Sequence, residues 1–287
     1  MEMRLKSVRR KTKIQKSVIL TVLIIVSLLS IFPFYWMVLN SFKNPDKIIG
    51  DGISFFTFDL TFKSYMEVFA IKEGGSIFRA FYNSLLISTL LTLGTLLTSS
   101  LAAFAFAKIK FKGSKLLYGI FIATLMVPGQ VTMLPLFVIF ARFELVDTII
   151  PLILPGILVN TYGVFMLRQF IVSIPNELME AAEMDGCGYF RKYWRIIIPL
   201  CKPALISLGL FTFIGSYNNF FGQLIYLRSD ENITISLFIK SLRETYGTGA
   251  QWGRIMAATT LSIVPIAVIY LSCQKYFVEG IATTGIK

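Results

Sequence analysis

The 287-residue sequence is 55% hydrophobic, has a mean hydropathy of +0.70 and carries a net charge of +12. That composition excludes a water-soluble domain and makes lipid the expected solvent. There is no histidine and there are only three cysteines, so imidazole catalysis is excluded and no zinc or copper site is offered.

Residues 1–16 form a basic tail in which Arg9, Arg10, Lys11, Lys13 and Lys16 precede an uncharged run, Val18–Leu39. The run is longer than the apolar stretch of a secretory signal and no small-residue cleavage site follows it, so 17–42 is read as a retained first transmembrane helix. Residues 43–79 form an external loop whose five basic side chains are offset by Asp46, Asp51, Asp59, Glu67 and Glu73.

Five further uncharged runs follow: Ala80–Ala107, Leu116–Ala141, Thr148–Leu167, Pro203–Leu227 and Ile255–Gln274. Each can cross a hydrocarbon core of about 30 Å, which takes roughly 20 helical residues. The expected fold class is all-α, a polytopic membrane protein with six transmembrane helices.

With the N-terminus in the cytoplasm, 18 of the 28 basic residues lie on the inner side and 10 on the outer. The positive-inside rule therefore puts both termini in the cytoplasm, including the tail at 279–287. The positive charge is spread between spans instead of gathered on one soluble face, which excludes nucleic acid as a partner. Cys187, Cys201 and Cys273 fall on or near the reducing side, so no disulfide is implied.

All sixteen Asp and Glu residues lie outside the six runs, which weighs against a proton- or sodium-coupled transporter. No G-x-x-x-x-G-K-[ST] loop is present. If transport consumes ATP, another polypeptide hydrolyses it.

Neutral polar residues do occur within the runs: Asn83, Ser84, Thr98 to Ser100, Gln130, Asn160, Tyr217, Asn218, Asn219 and Gln223. They suit helix-to-helix hydrogen bonding or a hydrated path for a polar solute, and the sequence leaves both open. Prolines 33, 128, 135, 151, 155 and 265 interrupt several runs. Pro128-Gly129-Gln130 places a break beside a long amide.

Between the fourth and fifth runs the pattern changes to that of a folded cytosolic element. Asn176 after Pro175 predicts an N-cap, Glu177 suits the first turn, Leu178 to Asp185 make about two turns, and Gly186 ends them in the left-handed conformation. A second short helix is predicted over Tyr189 to Ile197, with Tyr189, Phe190, Tyr193 and Trp194 as one aromatic face. Two small residues, Ala181 and Ala182, between Glu180 and Glu183 suit close approach by another protein. An amphipathic loop resting on lipid headgroups fits the same pattern.

Glu180-Ala181-Ala182, three residues, Gly186, nine residues, Ile196, one residue, Ile198, Pro199 resembles the EAA signature of ABC importer permeases, E-A-A-x3-G-x9-I-x-L-P, with Ile198 in place of Leu. Asn83-Ser84-Leu85, Ala102 to Lys108, and Gln274 to Val278 with Gly280-Ile281 are similar to stretches of the carbohydrate branch of that family. Thr234 to Phe238 and Trp252 to Ala258 also resemble it. At Tyr217-Asn218-Asn219-Phe220 the family more often has W-N-[ED]-F, so a Trp and an acidic residue are missing here.

The resemblance implies a type I ABC importer permease fold, with a transmembrane core over 80–278 and a coupling hairpin at 174–203. It implies that Glu180, Ala181, Ala182, Asp185, Gly186, Ile196 and Pro199 couple the chain to a separate ATP-binding subunit, with Glu180 pairing with a basic residue there. It also implies that Gln130, Asn160, Tyr217, Asn218, Asn219 and Gln223 are candidates for the solute pathway. The implied partners are a homologous permease, ATP-binding-cassette subunits, an extracytoplasmic solute-binding protein and the lipid bilayer of a bacterial cell membrane. The implied cargo is a sugar or oligosaccharide. No cofactor is expected in this chain, with ATP and magnesium held by the ATPase, and the chain is not itself expected to be an enzyme. The alternatives are the same architecture importing another small organic solute, or an ion-coupled secondary transporter.

Overall fold

The computed structural model describes residues 2–44, 48, 56, 60–72, 74–246 and 252–285. It divides into two compact units, Met1–Ala70 with Leu242–Leu261, and Ile71–Ser241 with Ser262–Lys287. Four helices are long and apolar enough to cross a membrane, and six spans result when each of two sharply bent helix pairs is taken as one.

In the first unit, helix α1 (Glu2–Ser41) takes in the basic tail and the first apolar run without interruption. Its side chains are exposed throughout 15–35, which suits a span surrounded by lipid or by another chain. Burial begins at its end. The Ser41 hydroxyl shares a 2.7 Å hydrogen bond with the Tyr65 hydroxyl, and the Phe42 ring meets those of Phe62 and Tyr65. Tyr65 belongs to α2 (Lys63–Ala70), a short amphipathic helix tied by Glu67 to Arg254 at 2.8 Å.

The second unit is organised on α3 (Ile77–Lys108), whose Ser76 N-cap accepts from the Arg79 amide. One face of α3 buries Ser84, Ser88, Thr95, Ser99 and Ser100. Small residues let helix backbones approach closely where no water drives association. α3 packs against α6 (Ile150–Leu158), α7 (Thr161–Ser173) and α10 (Lys202–Tyr217).

α6 and α7 are separated by a break at Val159-Asn160. The carbonyls in the last turn of α6 therefore lack helical partners. α3 supplies them: Thr95 donates to Gly156 O at 3.1 Å and Thr98 to Ile157 O at 2.6 Å. On the far side of the break, the Asn160 side chain caps α7 by accepting from Gly163 N at 2.6 Å.

The third predicted run is not one straight helix. α4 (Ser114–Met126, its last turn 3-10) and α5 (Gly129–Arg142) meet at 98°, because Pro128 lacks an amide hydrogen and holds an extended backbone at ψ 133°. The fifth run differs as well. α9 (Tyr189–Leu200) bends by 77° into α10, and α10 stops at Tyr217. A separate short helix, α11 (Phe220–Tyr226), follows, capped by the Asn219 side chain on Gly222 N. α12 (Ile235–Tyr246) and α13 (Trp252–Gly285) complete the described chain, and α13 runs on through the segment expected to be a terminal tail.

Candidate coupling site

The hairpin expected between the fourth and fifth runs is helix α8 (Glu177–Met184), a turn at Asp185-Gly186, and α9. Glu177 and Glu180 occupy the first turn of α8, where the helix dipole favours them. Gly186 closes α8 with φ +73°, donating to Glu183 O at 2.9 Å. A Cβ on it would meet nothing within 4 Å, so glycine serves the backbone angle here and not a tight fit within this chain.

Asn176 begins α8 but does not cap it. Its backbone is already helical (φ −72°, ψ −24°), whereas a capping side chain needs an extended backbone to reach the first amides. The Asn176 side-chain oxygen instead accepts from Lys108 Nζ at 2.8 Å, and the same ammonium donates to Ile174 O at 2.6 Å. The end of α3 thus holds the start of the hairpin.

The two alanines of the signature point different ways. Ala182 is buried at 8% exposure beside the core residue Met179, while Ala181 is exposed with Glu180 and Glu177. Asp185 is exposed as well. The outward face also carries Leu178, Met184 at 89% exposure, and Phe190 at 72%. Phe190 belongs to the expected aromatic face, whereas Leu178 and Met184 did not stand out in the sequence, and their signal was spacing: Leu178, Ala181 and Met184 recur every three residues.

The predicted aromatic face of α9 is divided by burial. Tyr189, Phe190 and Trp194 are exposed, but Tyr193 is 1% exposed and joins a core with Phe104, Leu167, Ile171 and Ile197. Tyr193 continues a buried seam through Ile197, Cys201, Ala204 and Leu208, at helical spacing across the 77° bend. Ile196 and Ile198 are only partly buried against that core.

Residues Tyr193–Ile197 form a π-helical turn, in which Ile198 N donates to Tyr193 O. The proline of the signature accounts for it. Pro199 has no amide to give the carbonyl of Arg195 four residues back, and its ring crowds that oxygen; the wider π turn makes room.

Lys192 is 4% exposed, yet its ammonium reaches Glu183 at 2.8 Å, joining the two arms of the hairpin. The hydrogen bond from Lys192, then its charge, lowers the Glu183 carboxyl below its ordinary value.

The candidate solute-path residues are not brought together. Gln130 is exposed at the start of α5, and Asn218 and Asn219 are exposed at the α10–α11 break. Tyr217 is buried and donates to Ser262 O at 3.2 Å; Gln223 is buried between Ser216 O and the Thr234 hydroxyl. Asn160 alone of the six lines a cleft of about 950 Å³, with Thr124, Thr132, Thr161, Tyr162 and Phe140. Val159 and Asn160 of one helix break line this cleft, as does Val127 beside the break at Pro128.

Four to six candidate membrane spans, with a structured hairpin following α7, are the architecture of a membrane transport subunit. The family described as "binding-protein-dependent transport system inner membrane component" matches residues 94–283, and the chain belongs to it. It is 34% identical over 263 residues to the arabinooligosaccharides transport system permease protein AraQ of Bacillus subtilis, covering 91% of this chain and 92% of that one. It is 33% identical over 199 residues to the sn-glycerol-3-phosphate transport system permease protein UgpE of Yersinia pestis bv. Antiqua, covering 69% and 70%. Among solved structures, a bacterial ABC transporter involved in the import of the acidic polysaccharide alginate superposes with a TM-score of 0.81 at 25% identity, over 93% of this chain and 98% of that one.

Proposed function

We propose that this chain is one permease of an ATP-driven importer, forming with a homologous permease the membrane pathway for a sugar or oligosaccharide. The observation that carries the reading is the hairpin. Its outward face combines Glu177, Glu180 and Asp185 with exposed Leu178, Ala181, Met184 and Phe190. An exposed apolar patch rimmed by charge marks an interaction surface, and here it suits a groove on an ATP-binding subunit lined by a basic residue.

In this reading ATP and magnesium belong to that subunit, and this chain contributes no catalytic group. Glu180 pairs with the basic residue, Ala181 allows close contact, and Gly186 sets the turn. Ala182 and Ile196 seat the hairpin against this chain, and Pro199, itself exposed, sets its π turn. A solute-binding protein delivers cargo to the external loops. The greater number of basic residues on the hairpin side supports a bacterial inner-membrane orientation with both termini in the cytoplasm.

The cargo class rests on the relatives: AraQ and the alginate transporter are named for carbohydrates. UgpE, named for a phosphorylated polyol, favours a second reading with the same mechanism and another small organic solute. Four measurements test the proposal. An ATP-binding subunit should co-purify with the chain. Glu180→Lys should leave the chain in the membrane while abolishing uptake. Binding of arabinotriose, lactose and glycerol 3-phosphate to the cognate binding protein separates the two cargoes. Gradient-driven flux by the purified chain alone would overturn both readings in favour of an ion-coupled transporter.

A further inference from the structure

We propose that Tyr193 is the positioning residue that passes movement of the cytoplasmic hairpin to α3, through a buried hydrogen bond between its hydroxyl and that of Ser100. The inference rests on the coupling reading of the hairpin.

Three polar links tie the hairpin to itself and to α3. Lys108 Nζ holds Ile174 O and the Asn176 side chain, at 2.6 and 2.8 Å, and so fixes the entry to the first arm. Glu183 and Lys192 join the first arm to the second at 2.8 Å. The Tyr193 and Ser100 hydroxyls meet at 2.7 Å, fixing the second arm to α3.

Two of these links end on one helix, at residues eight apart. At about 1.5 Å per residue, the attachment points are separated by about 12 Å along α3. A body held at one point can pivot about it. Held at two, with its arms braced together, it cannot rotate without taking the helix along.

The Tyr193 link is the one suited to carrying load. Both its residues are at least 97% buried, and no water competes for the bond. Ser100 also lies within hydrogen-bond distance of Leu96 O at 2.6 Å and Leu97 O at 3.1 Å, which anchors its hydroxyl to the α3 backbone. The tyrosine ring packs on Phe104 one turn further along α3, with centroids 5.6 Å apart. The π turn begins at this same tyrosine. Its looser hydrogen bonding lets the rest of α9 adjust while Tyr193 stays fixed to α3.

The test uses the complete importer in lipid nanodiscs, with a nitroxide on Leu93→Cys, an exposed site on α3, and nucleotide trapped by vanadate. It needs no transported solute. In the parent protein, trapping should change the nitroxide spectrum. Tyr193→Phe and Ser100→Ala should each reduce that change about fivefold or more while trapping as much nucleotide as the parent. Ser100→Thr, which keeps a hydroxyl, should restore it. An undiminished change in Tyr193→Phe overturns the relay, as does a parent protein in which α3 does not respond. A variant that loses nucleotide trapping together with the spectral change assigns Tyr193 a purely structural role and overturns it too. Failure to recover any ATP-binding subunit with the parent protein is a different result: it removes the coupling reading itself, and the relay with it.

Discussion

Asn83 donates its side-chain amide to the carbonyls of Glu231 and Ile233, at 2.9 and 2.8 Å, so the head of the second span holds a loop 148 and 150 residues away. Next to it, the Ser84 hydroxyl accepts from Ile235 N at 2.9 Å. Asn83→Leu should lower stability by about 1–3 kcal/mol, since the carbonyl of buried Ile233 loses its donor and that of the more exposed Glu231 is left to water. Asn83→Asp should be worse, because it sets an acceptor-only carboxylate against those same carbonyls. Thermal unfolding in detergent compares the two, and equal stability for both would contradict the assignment.

Gly163 on α7 sits where a Cβ would come within 2.8 Å of Ser99 Oγ, 2.9 Å of Asn160 Oδ1 and 3.0 Å of a Leu208 methyl. Gly163→Ala should destabilise by about 1–3 kcal/mol by pressing α7 away from α3 and α10. Pairing it with Ser99→Gly should recover part of the loss, read as a rise in unfolding temperature over the single variant.

At Gly186 the cost has a different origin. With open space around it and φ +73°, Gly186→Ala should cost about 1 kcal/mol of backbone strain and leave uptake largely intact. Gly186→Val, β-branched in the left-handed region, should abolish uptake. Gly186→Asp tolerates the backbone angle better than valine does. Loss of uptake in that variant, with an unchanged unfolding temperature, would therefore report on the partner subunit and not on the hairpin fold.

The Glu183–Lys192 pair is asymmetric in burial, and its two halves should respond unequally. Lys192→Met removes a nearly buried cation and leaves a solvated carboxylate. Glu183→Gln leaves that buried cation without its counter-charge and should destabilise the hairpin more. Hydrogen exchange over α8 and α9 reads the difference. The native Glu183 carboxyl titrates below its unfolded value, so the pair stabilises the hairpin above about pH 4.5 and is lost as pH falls through the lower native value.

In the turn before α6, Asp147 accepts from Arg228 N at 2.9 Å and Ser229 N at 3.1 Å, while its own carbonyl accepts from Asn232 at 2.6 Å. Burial raises its pKa, but the hydrogen bonds from Arg228, Ser229 and Asn232 outweigh it and hold the carboxyl below the usual carboxylate range. Its stabilising contribution is therefore full above about pH 4 and is lost only as pH falls through the depressed native value. Asp147→Ala should remove that acid dependence and cost about 1–2 kcal/mol, part of it from the left-handed backbone at φ +64°. Unfolding temperature measured between pH 3 and 7 checks both.

How much of this was legible depends on how local each cause is. The spans, the start of α8 and the left-handed turn at Gly186 follow from runs and single residues, and they stand close to where the pattern puts them. The bend at Pro128 was signalled by the proline, its 98° was not. The π turn requires Pro199, the buried seam and the fit of Tyr193 against Phe104 together, so the aromatic positions alone suggested a single face that packing divides. Among the candidate path residues, the hydrogen bond of Gln223 to Thr234 depends on a loop returning to the helix, and nothing at position 223 announces it. Asn160 and Asn219 are different: Asn-x-x-Gly just before a helix is a capping pattern, and it was there to be read in both places.

The polar face of α3 also sets a schedule. The ribosome produces residue 84 long before residue 235, whose amide the Ser84 hydroxyl accepts, 151 positions later. At about 5–20 residues per second that interval is roughly 8–30 s. Through it, α3 is inserted in lipid with Asn83 and Ser84 waiting for partners not yet made. Nascent chains ending before α10 should accordingly be held by insertion factors or degraded, and release into the bilayer should coincide with synthesis of the loop that Asn83 grips.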